Sequence, residues 1–359
     1  MTRTVTIAED DEGIRLDRWF KRHEPGTSFN VVSRWARTGA LRLDGAKTEP
    51  GARLVAGQVL TLPPAEEGAV TMAPRVGKPL SAAEIEYAQS LVIHKDAHAI
   101  VINKPPGLAT QGGTGTTSHV DGLLDALIYD TNARPKLVHR LDKDTSGVLL
   151  LARTAKAAAF FSKSFSGRTA KKVYWALTVG QPEPEAGEID APLSKQPGTG
   201  GEKMHIDPEG GQSAKTLYRV IDHAATQAAW VEFQPQTGRT HQIRVHANAL
   251  GHPIVGDAKY GGRDAFLTGG VSRKLHLHAR RLRIENVDGG WLDITADLPS
   301  HFVESFKMLG FSEADGDGAI LDPVKFSDTP EGKKKLAAAD AKARRKAHRG
   351  ERRSRGQER

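Results

Sequence analysis

The amino-acid sequence predicts an α+β fold in which short strands outnumber helices. Apolar runs of strand length recur along the chain, at residues 99–102, 148–151, 173–179, 214–221, 229–233, 275–284 and 291–296. Helical spacing of apolar residues is confined to separate short segments, at 14–20, 29–36, 154–166, about 237–250 and 299–309. Stretches rich in Pro and Gly interrupt both patterns and indicate turns and linkers between the elements.

The chain has 359 residues, which is enough for two domains. We expect an N-terminal arm, a small domain, a linker, a large domain and a tail, at residues 1–13, 14–62, 63–90, 91–312 and 313–359. Four prolines and several glycines mark the linker. The tail is rich in Ala, Lys and Arg. We expect it to be disordered unless a partner orders it.

Net charge is +8, and its distribution is uneven. Residues 331–359 hold 12 Lys/Arg and 4 Asp/Glu, so the rest of the chain balances at 39 of each sign. The segment 14–62 is locally basic, with 9 Lys/Arg against 4 Asp/Glu. Two short basic helices on a small sheet would grip an RNA backbone. An ordinary small domain with solvated charges is the alternative. The candidate RNA-binding residues are Arg15, Lys21, Arg22, Arg34 and Arg37.

Several classes of protein are excluded by composition. No run of 18 apolar residues exists, so we predict no membrane-spanning helix. An acidic cluster at residues 9–12 lies where the apolar core of a signal peptide would be. The chain has no cysteine, which excludes disulfides, thiol nucleophiles and thiolate metal sites. We expect a cytoplasmic, monomeric protein with no membrane partner.

The most informative stretch is His-Arg-Leu-Asp-Lys-Asp-Thr-Ser-Gly at residues 139–147, followed by an apolar run. It places two carboxylates, two cations and two hydroxyls at the mouth of a buried strand, where a preorganised site finds rigid support. A salt-bridged turn that caps a strand has the same composition. Spacing alone leaves these two interpretations equally open.

Residues 139–147 resemble the HRLD-x-x-TSG signature of the RluA-type pseudouridine synthases. A nine-residue match of this kind is more specific than a lone glycine motif. The resemblance implies a mixed, mainly antiparallel sheet in the large domain. It also implies that Asp142 is the catalytic carboxylate. Asp144 falls on a variable position of the signature, so we expect no catalytic role for it.

Two further blocks extend the resemblance over about residues 90–310. Lys-x-Tyr-x-Ala at 172–176 matches the motif that carries the family's active-site tyrosine, which is Tyr174 here. Without that match, a core aromatic with a satisfied hydroxyl would be favoured. The block from Thr237 to Ala247 predicts a helix capped by Thr237 or Thr240. In the family, the arginine of this block pairs with the catalytic aspartate, which implies that role for Arg244.

Residues 14–62 resemble an S4 RNA-binding domain through loosely spaced positions, which include Arg15, Arg34 and Gly39. The match is weak alone and gains weight from its position upstream of a synthase-like domain. Within the family, members that bear this domain resemble enzymes of large-subunit ribosomal RNA. The expected partner is therefore ribosomal RNA, free or in an assembling large subunit.

Pseudouridine formation breaks the bond between uracil N1 and ribose C1′, turns the base and rejoins it through C5. It imports no group and changes no oxidation state, so we expect no cofactor. Asp142 would supply the carboxylate beside the sugar, held ionised by Arg244. Tyr174 would offer a ring to the base, which must first leave its stack. The candidate substrate contacts are His139, Arg140, Thr145 and Arg239, of which His139 or Arg140 could fill the gap in the RNA.

Three other functions remain open at this stage. A metal-dependent hydrolase is suggested only by the 14 histidines, since no His-Glu-x-x-His pattern exists. We therefore expect no metal site. A non-catalytic RNA-binding assembly factor would share the basic features, but it would not need Asp142, Tyr174 and Arg244 together. A synthase that acts on tRNA is the third. The target uridine and the chemical route at C1′ are not encoded in any motif.

Overall fold

A computed structural model describes residues 2–24, 26–63, 79–112, 118–130, 133–196 and 203–316. The chain divides into two compact units, Met1–Pro79 and Leu80–Arg359. Almost all of the predicted tail lies outside the described residues. Within the described ranges, no helix has the length and apolar character needed to cross a membrane.

The first unit packs two helices on a four-stranded antiparallel sheet. Its elements are β1 (Arg3–Thr6), α1 (Leu16–His23), α2 (Phe29–Thr38), β2 (Arg42–Leu43), β3 (Ala46–Lys47) and β4 (Val59–Leu62), and the strand order is β1-β4-β2-β3. Ser28 caps α2 by accepting the Val31 N–H, and Gly39 ends it at φ 78°. Leu16, Phe20 and Leu60 are fully buried in the shared core. The predicted pair of short helices on a small sheet is thus present.

The expected N-terminal arm is wrong, because β1 is an integral strand of this sheet. Its residues pair antiparallel with β4, from Arg3 opposite Leu62 to Thr6 opposite Val59. Ile7, which follows the strand, is 2% exposed and belongs to the core of the unit. The acidic cluster behind it concealed the apolar alternation that a strand requires.

The second unit is built on a mixed sheet of ten strands. Its strands are β5 (Val92–Lys95), β6 (Ala99–Lys104), β7 (Lys136–Leu137), β8 (Ser146–Ala152), β9 (Lys171–Val179), β10 (Ala186–Asp190), β13 (Lys215–Ala224), β14 (Ala228–Pro235), β15 (Leu277–Glu285) and β16 (Trp291–Thr295), with the separate hairpin β11 (Leu193–Lys195) and β12 (Met204–Ile206). Its helices are α3 (Ala82–Ser90), α4 (Val120–Leu123), α5 (Ala155–Ser166), α6 (Gln242–Ala249) and α7 (Ser300–Leu309). The order is β10-β13-β14-β9-β15-β8-β6-β5, with β16 on β15 and β7 on β8.

All pairs in this sheet are antiparallel except β15 with β8. The predicted α+β class with a mixed, mainly antiparallel sheet is confirmed. Strands β6 and β8 contain continuous apolar runs, at residues 99–102 and 148–152, because both of their faces are covered. Ile100 and Leu149 pack toward α3 and α4, whereas Val101 and Leu150 pack toward α5.

The parallel pair brings the start of β8 against β15, with Ser146 opposite His278 and Gly147 opposite Ala279. Gly147 has φ 108°, a conformation that glycine adopts without strain. A Cβ atom there would lie 2.2 Å from the Ala279 carbonyl oxygen. The signature loop therefore requires glycine at its end so that the two strands can approach.

The predicted linker is too long at its C-terminal end. Helix α3 begins with a capping box between Ser81 and Glu84, and Ala88 is 1% exposed against the core of the second unit. Residues 64–78 lie outside the described residues. At the other end, Phe311 is buried with the core of α7. A 3-10 turn then spans Glu313–Asp315, so the predicted tail begins a few residues too early.

Candidate active site

A cavity of about 510 Å³ opens beside the signature loop. The loop at 138–145, strand β9, and the segment from Pro235 into α6 form its walls. Seven predicted site residues line it: His139, Arg140, Asp142, Thr145, Tyr174, Arg239 and Arg244. Asp144 is exposed and does not line it. Three sequence-distant motifs thus meet at one concave surface, which is the usual form of a small-ligand site.

The signature loop is held from behind by two buried residues. The Lys104 ammonium donates hydrogen bonds to the carbonyls of Pro105, Leu108 and Lys143, at 3.0, 2.8 and 3.0 Å. The Thr110 hydroxyl donates to the Leu141 carbonyl at 2.7 Å and accepts the Leu141 N–H at 3.1 Å. These bonds fix the backbone on both sides of Asp142, so its carboxylate is positioned before any substrate arrives.

Arg244 lies between two carboxylates. Its Nε and Nη2 donate to Asp257 Oδ2 and Oδ1 at 2.8 and 2.7 Å, a bidentate geometry that fixes the guanidinium plane. Its Nη1 lies 3.8 Å from Asp142 Oδ2. That separation is an ion-pair contact and is longer than a hydrogen bond. The expected pairing of Arg244 with Asp142 is therefore secondary to the pairing with Asp257.

His241 forms the other neighbour of Asp142, with Nε2 3.8 Å from Oδ2. Its Nδ1 is 2.6 Å from the Tyr260 hydroxyl, whose oxygen accepts the Met204 N–H. We assign the hydroxyl proton to Nδ1, because the ring proton then lies on Nε2 and faces the negative charge of Asp142. Burial lowers the pKa of His241, and Asp142 offsets this only in part. The ring is thus a neutral N–H donor beside the carboxylate.

The helix that carries Arg244 begins later than the sequence predicts. His241 sits before its first turn in the left-handed region, at φ 54°, and the helix starts at Gln242. The Thr237 hydroxyl donates to Gln242 Oε1 at 2.7 Å instead of capping a backbone N–H. Arg239 consequently lies outside the helix and does not share a face with Ile243. Its Nε donates to the Ser213 carbonyl at 3.1 Å, on the cavity wall.

Tyr174 lies on β9 between two core clusters and faces the cavity. Burial, and the nearby charge of Asp142, raise the pKa of its hydroxyl far above the usual value. The phenol is therefore protonated at any working pH. Lys172, two residues earlier on the same face of the strand, also lines the cavity.

The remaining predicted contacts of the signature loop differ in their surroundings. His139 Nε2 accepts the Leu150 N–H at 2.9 Å, and the ring stacks on Phe165 with centroids 4.2 Å apart. Burial, with a contribution from Lys172, lowers the pKa of His139 to about 3. The ring is partly exposed at the cavity, but its contacts with Leu150 and Phe165 restrict its movement. Arg140 is exposed at the cavity and suits the base-replacing role better.

Thr145 is 2% exposed, and its Oγ1 has no hydrogen-bond partner among the described residues. Buried hydroxyls normally have one. The residue is part of the cavity lining, so a substrate or a water molecule could supply the partner. Thr145 also donates its backbone N–H to the Asp142 carbonyl at 3.2 Å.

The five predicted RNA-binding cations of the first unit are exposed on α1, on α2 or just before α1. Arg15 pairs with Asp17, and Arg22 with the buried Asp11. These pairs fix the side chains on the unit's own surface. Lys21, on α1, and Arg34 and Arg37, on α2, are exposed as well.

Sequence reasoning missed four residues of the site: Asp257, His241, Tyr260 and Lys172. Asp257 and Tyr260 belong to the Gly-Asp and Tyr-Gly segments at 256–257 and 260–261, which had no assigned role. The signal that could have identified Asp257 is the cost of burying an arginine without a carboxylate partner. Lys172 is part of the Lys-x-Tyr motif and shares the face of Tyr174 by simple strand alternation.

Most of the histidines that suggested a metal site have structural partners. His278 contacts the Ser146 hydroxyl and the Ala296 carbonyl, and His276 contacts the Ser305 hydroxyl and the Val255 carbonyl. His246 bridges the Thr216 hydroxyl and the Ala191 carbonyl. Across the described ranges, no group of three or more His, Asp or Glu residues has the arrangement to hold a metal ion.

Comparison with known proteins identifies the class to which this fold and site belong. A family model described as RNA pseudouridylate synthase matches residues 98–249. The chain is 33% identical over 297 residues to "Ribosomal large subunit pseudouridine synthase C" of Rickettsia felis, with 81% of this chain and 95% of the relative covered. It is 33% identical to the protein of the same name from Vibrio cholerae, with 85% and 96% covered. The "RNA pseudouridine synthase 4, mitochondrial" of Arabidopsis thaliana is 32% identical, with 85% and 81% covered.

A solved structure agrees with this class. "Human RNA Pseudouridylate Synthase Domain Containing 4" superposes with a TM-score of 0.54 at 32% identity, over 64% of this chain and 97% of that chain. The chain belongs to the RluA-type RNA pseudouridine synthase family. It is an enzyme that isomerises uridine to pseudouridine in RNA.

Proposed function

We propose that this enzyme modifies uridines of large-subunit ribosomal RNA, with Asp142 acting at ribose C1′. The observation that carries the catalytic assignment is the meeting of Asp142, Tyr174 and Arg244 at one cavity. The relatives from Rickettsia felis and Vibrio cholerae, whose names specify the large ribosomal subunit, support the substrate. Those relatives are matched over nearly their whole length.

In the proposed reaction, the bond from uracil N1 to C1′ breaks and a bond from C5 to C1′ forms. The proton on C5 is lost and N1 gains one, so the atoms balance within the nucleotide. Asp142 stabilises or attacks C1′, because an anion favours the electron-poor carbon that develops there. Arg244 and the N–H of His241 lie 3.8 Å from the carboxylate and hold it oriented.

Tyr174 supports the detached base by presenting its ring. The raised pKa of its hydroxyl makes it a poor proton acceptor. We therefore assign it to stacking and hydrogen-bond donation, and not to removal of the C5 proton. Arg140, exposed at the mouth of the cavity, is the candidate to occupy the gap that the flipped uridine leaves.

The first unit is proposed as an S4-like RNA grip, and its exposed cations on α1 and α2 would contact phosphates without reading sequence. The basic tail would add further phosphate contacts. We propose that the enzyme acts as a monomer on free or partly assembled ribosomal RNA. Its cytoplasmic location stays a prediction.

The test is to map pseudouridines in cellular RNA with and without this protein, and then to restore the protein as wild type or as Asp142→Asn. We expect specific sites in large-subunit RNA to disappear and to return only with the wild type. Loss confined to tRNA would transfer the assignment to the tRNA alternative. Unchanged pseudouridine in every RNA, with ribosome assembly impaired, would favour the non-catalytic assembly factor.

A second assay separates catalysis from binding in the purified protein. RNA that contains 5-fluorouridine cannot lose a proton from C5, so a true synthase should form an altered or trapped product with it. The wild type should do so, and Asp142→Asn should bind the same RNA without any such product.

A further inference from the structure

The cavity contains a partly buried lysine whose donors are mostly unfilled by the described residues. Lys172 projects from β9 beside Tyr174, and its Nζ donates to the Thr237 carbonyl at 3.3 Å. An ammonium has three N–H donors, and this single long bond engages only one of them. No carboxylate of the described residues pairs with Lys172, which forms no ion pair there.

Lys104, the other buried lysine of this region, provides the contrast. It is fully buried, its three donors meet three carbonyl oxygens, and the charges of Asp144 and Asp142 act on it. The hydrogen-bond donors of Lys104 are therefore satisfied without a ligand. Lys172 has the same chemistry and is partly buried, but it lacks the acceptors.

The charge that acts on Lys172 is a second cation, Arg168. Burial, with a smaller contribution from Arg168, lowers the pKa of Lys172 to about 8. Arg168 lies at the turn after α5, is exposed, and lines the same cavity. Two neighbouring cations in a partly desolvated site, with no anion of the described residues beside them, disfavour the empty state. An anionic ligand would relieve both the repulsion and the unfilled donors.

We propose that Lys172 and Arg168 form an anion subsite that binds a backbone phosphate of the RNA beside the flipped uridine. The inference rests on the proposed function, since it assumes that the base enters the cavity at Tyr174. Lys172 is two residues from Tyr174 on the same face of the strand, about 7 Å along it. One nucleotide can span that distance, with its base on the tyrosine ring and its phosphate at the lysine.

A uracil carbonyl oxygen is the other ligand within reach of Lys172. It is neutral, so it would leave the charge of Arg168 uncompensated. A phosphate carries a full negative charge and several acceptor oxygens, which suits two converging cations. The subsite would position the nucleotide without reading its sequence.

The test uses a hairpin RNA with the target uridine and a series of copies that each carry one neutral methylphosphonate linkage. Binding and pseudouridine formation are measured separately for wild type and Lys172→Gln. We expect Lys172→Gln to weaken binding about 10- to 100-fold and to reduce the salt slope by roughly 0.7 to 0.9. One linkage next to the target should weaken binding of the wild type by a similar factor and have no further effect in the variant.

Two matched variants complete the design. Lys171→Gln removes the neighbouring lysine, which points to the opposite face of β9 and does not line the cavity, so it should keep the wild-type linkage pattern. Lys172→Arg keeps the charge and should retain sensitivity to the same linkage.

The outcomes for the subsite and for the proposed function are separable. If pseudouridine forms but no linkage shows an effect that depends on Lys172, the anion subsite is wrong and the function stands. If the linkage effect on binding appears but no pseudouridine forms, the subsite stands and the proposed substrate is wrong. The binding lost in Lys172→Gln could instead add fully to the binding lost at every linkage. Lys172 would then contact the base, and the phosphate proposal would be overturned.

Discussion

Asp257 holds Arg244 with two hydrogen bonds of 2.7 and 2.8 Å, and this pair orients the guanidinium toward Asp142. Asp257 is 1% exposed, so the two opposite charges of this buried pair compensate each other. The Tyr260 ring lies 5.2 Å from the Arg244 guanidinium carbon and carries the hydroxyl that contacts His241. One short turn after α6 thus supports both neighbours of the Asp142 carboxylate.

This arrangement predicts that Asp257→Asn disables catalysis from a distance. The substitution breaks the bidentate pair and lets Arg244 move, and a shift of about 1 Å at a reacting group can cost about 100-fold in rate. We expect kcat to fall by that factor while the RNA Kd stays nearly unchanged. Single-turnover rates and filter binding measure the two quantities.

Asp293→Asn is the matched control, since Asp293 also forms a bidentate pair, with Arg281 at 2.7 Å, but on the partly exposed surface of β15 and β16. Surface pairs of this kind contribute about 1 kcal/mol or less. Equal rate losses in both variants would show that the effect of Asp257→Asn is only general destabilisation.

Replacing Asp142, the proposed catalytic carboxylate, should have a far larger effect. Asp142→Asn keeps the shape of the side chain and removes its charge, so we expect isomerisation to fall by about 10⁴-fold or more with RNA binding intact. Asp144→Asn should stay within a few-fold of wild type, because Asp144 is exposed and outside the cavity. Normal turnover by Asp142→Asn would remove Asp142 from the mechanism.

The sequence identified the site residues that lie in dense local motifs. It missed the residues whose contacts with the site arise only from the fold. Asp142, Tyr174 and Arg244 lie in dense, specific motifs, and the cavity brings them together. Asp257 is 13 residues beyond Arg244 and reaches it only because the chain turns back after α6. The acceptor role of His139 toward the Leu150 N–H could not be predicted, because it requires the loop to fold over β8.

The fold could be predicted from the sequence to about the same extent as the site. Apolar runs of strand length indicated most strands of the large sheet, since burial on both faces leaves an unmistakable pattern. Residues 1–13 and 80–90 were misassigned, as an arm and as linker. Their apolar positions are few, and what decides their structure is packing: Ile7 against the first core and Ala88 against the second.

Two fully buried histidines, His276 and His278, predict loss of stability in mild acid. Burial lowers the pKa of His276 to about 4 and of His278 to about 3, from an unfolded value of 6.5. Between those values the unfolded chain binds more protons than the folded one, so stability is full above pH 6.5 and falls as pH decreases below it. From pH 7.5 to 5.5 the two should remove roughly 3 kcal/mol from the free energy of unfolding.

Urea unfolding at a series of pH values measures this loss. His278→Gln should show a shallower pH dependence than wild type even if its stability at pH 7.5 is lower. His223→Gln, which removes an exposed histidine, should keep the wild-type slope. A wild-type free energy that is constant from pH 7.5 to 5.5 would contradict the buried neutral state of both residues.

Deletion of residues 331–359 removes a net charge of +8, the whole excess of the chain. RNA binding should weaken, and its dependence on salt should flatten by roughly 0.7 to 0.9 log units for each phosphate that the tail no longer neutralises. The modified sites should not change, since phosphate contacts position an enzyme without specifying sequence. A new pattern of pseudouridines made by the truncated enzyme would contradict this.

The division of the chain between Pro79 and Leu80 makes the contribution of the first unit measurable. Residues 14–62 carry a local excess of five positive charges, and the second unit contains the whole cavity. Linked modules raise effective concentration only when one RNA is large enough to engage both. A long ribosomal RNA fragment meets that condition, whereas a minimal hairpin with the same uridine does not.

Removal of residues 1–79 should therefore lower kcat/KM on the long fragment by about 100-fold or more and on the hairpin by only a few-fold. The effect should appear in KM, because the catalytic residues are untouched. Equal losses on the two substrates would mean that the first unit supports the second structurally and does not grip RNA. A full-length variant with Lys21→Glu and Arg37→Glu reverses two charges that are exposed on α1 and α2. If the first unit binds RNA electrostatically, this variant should show the same selective loss on the long fragment.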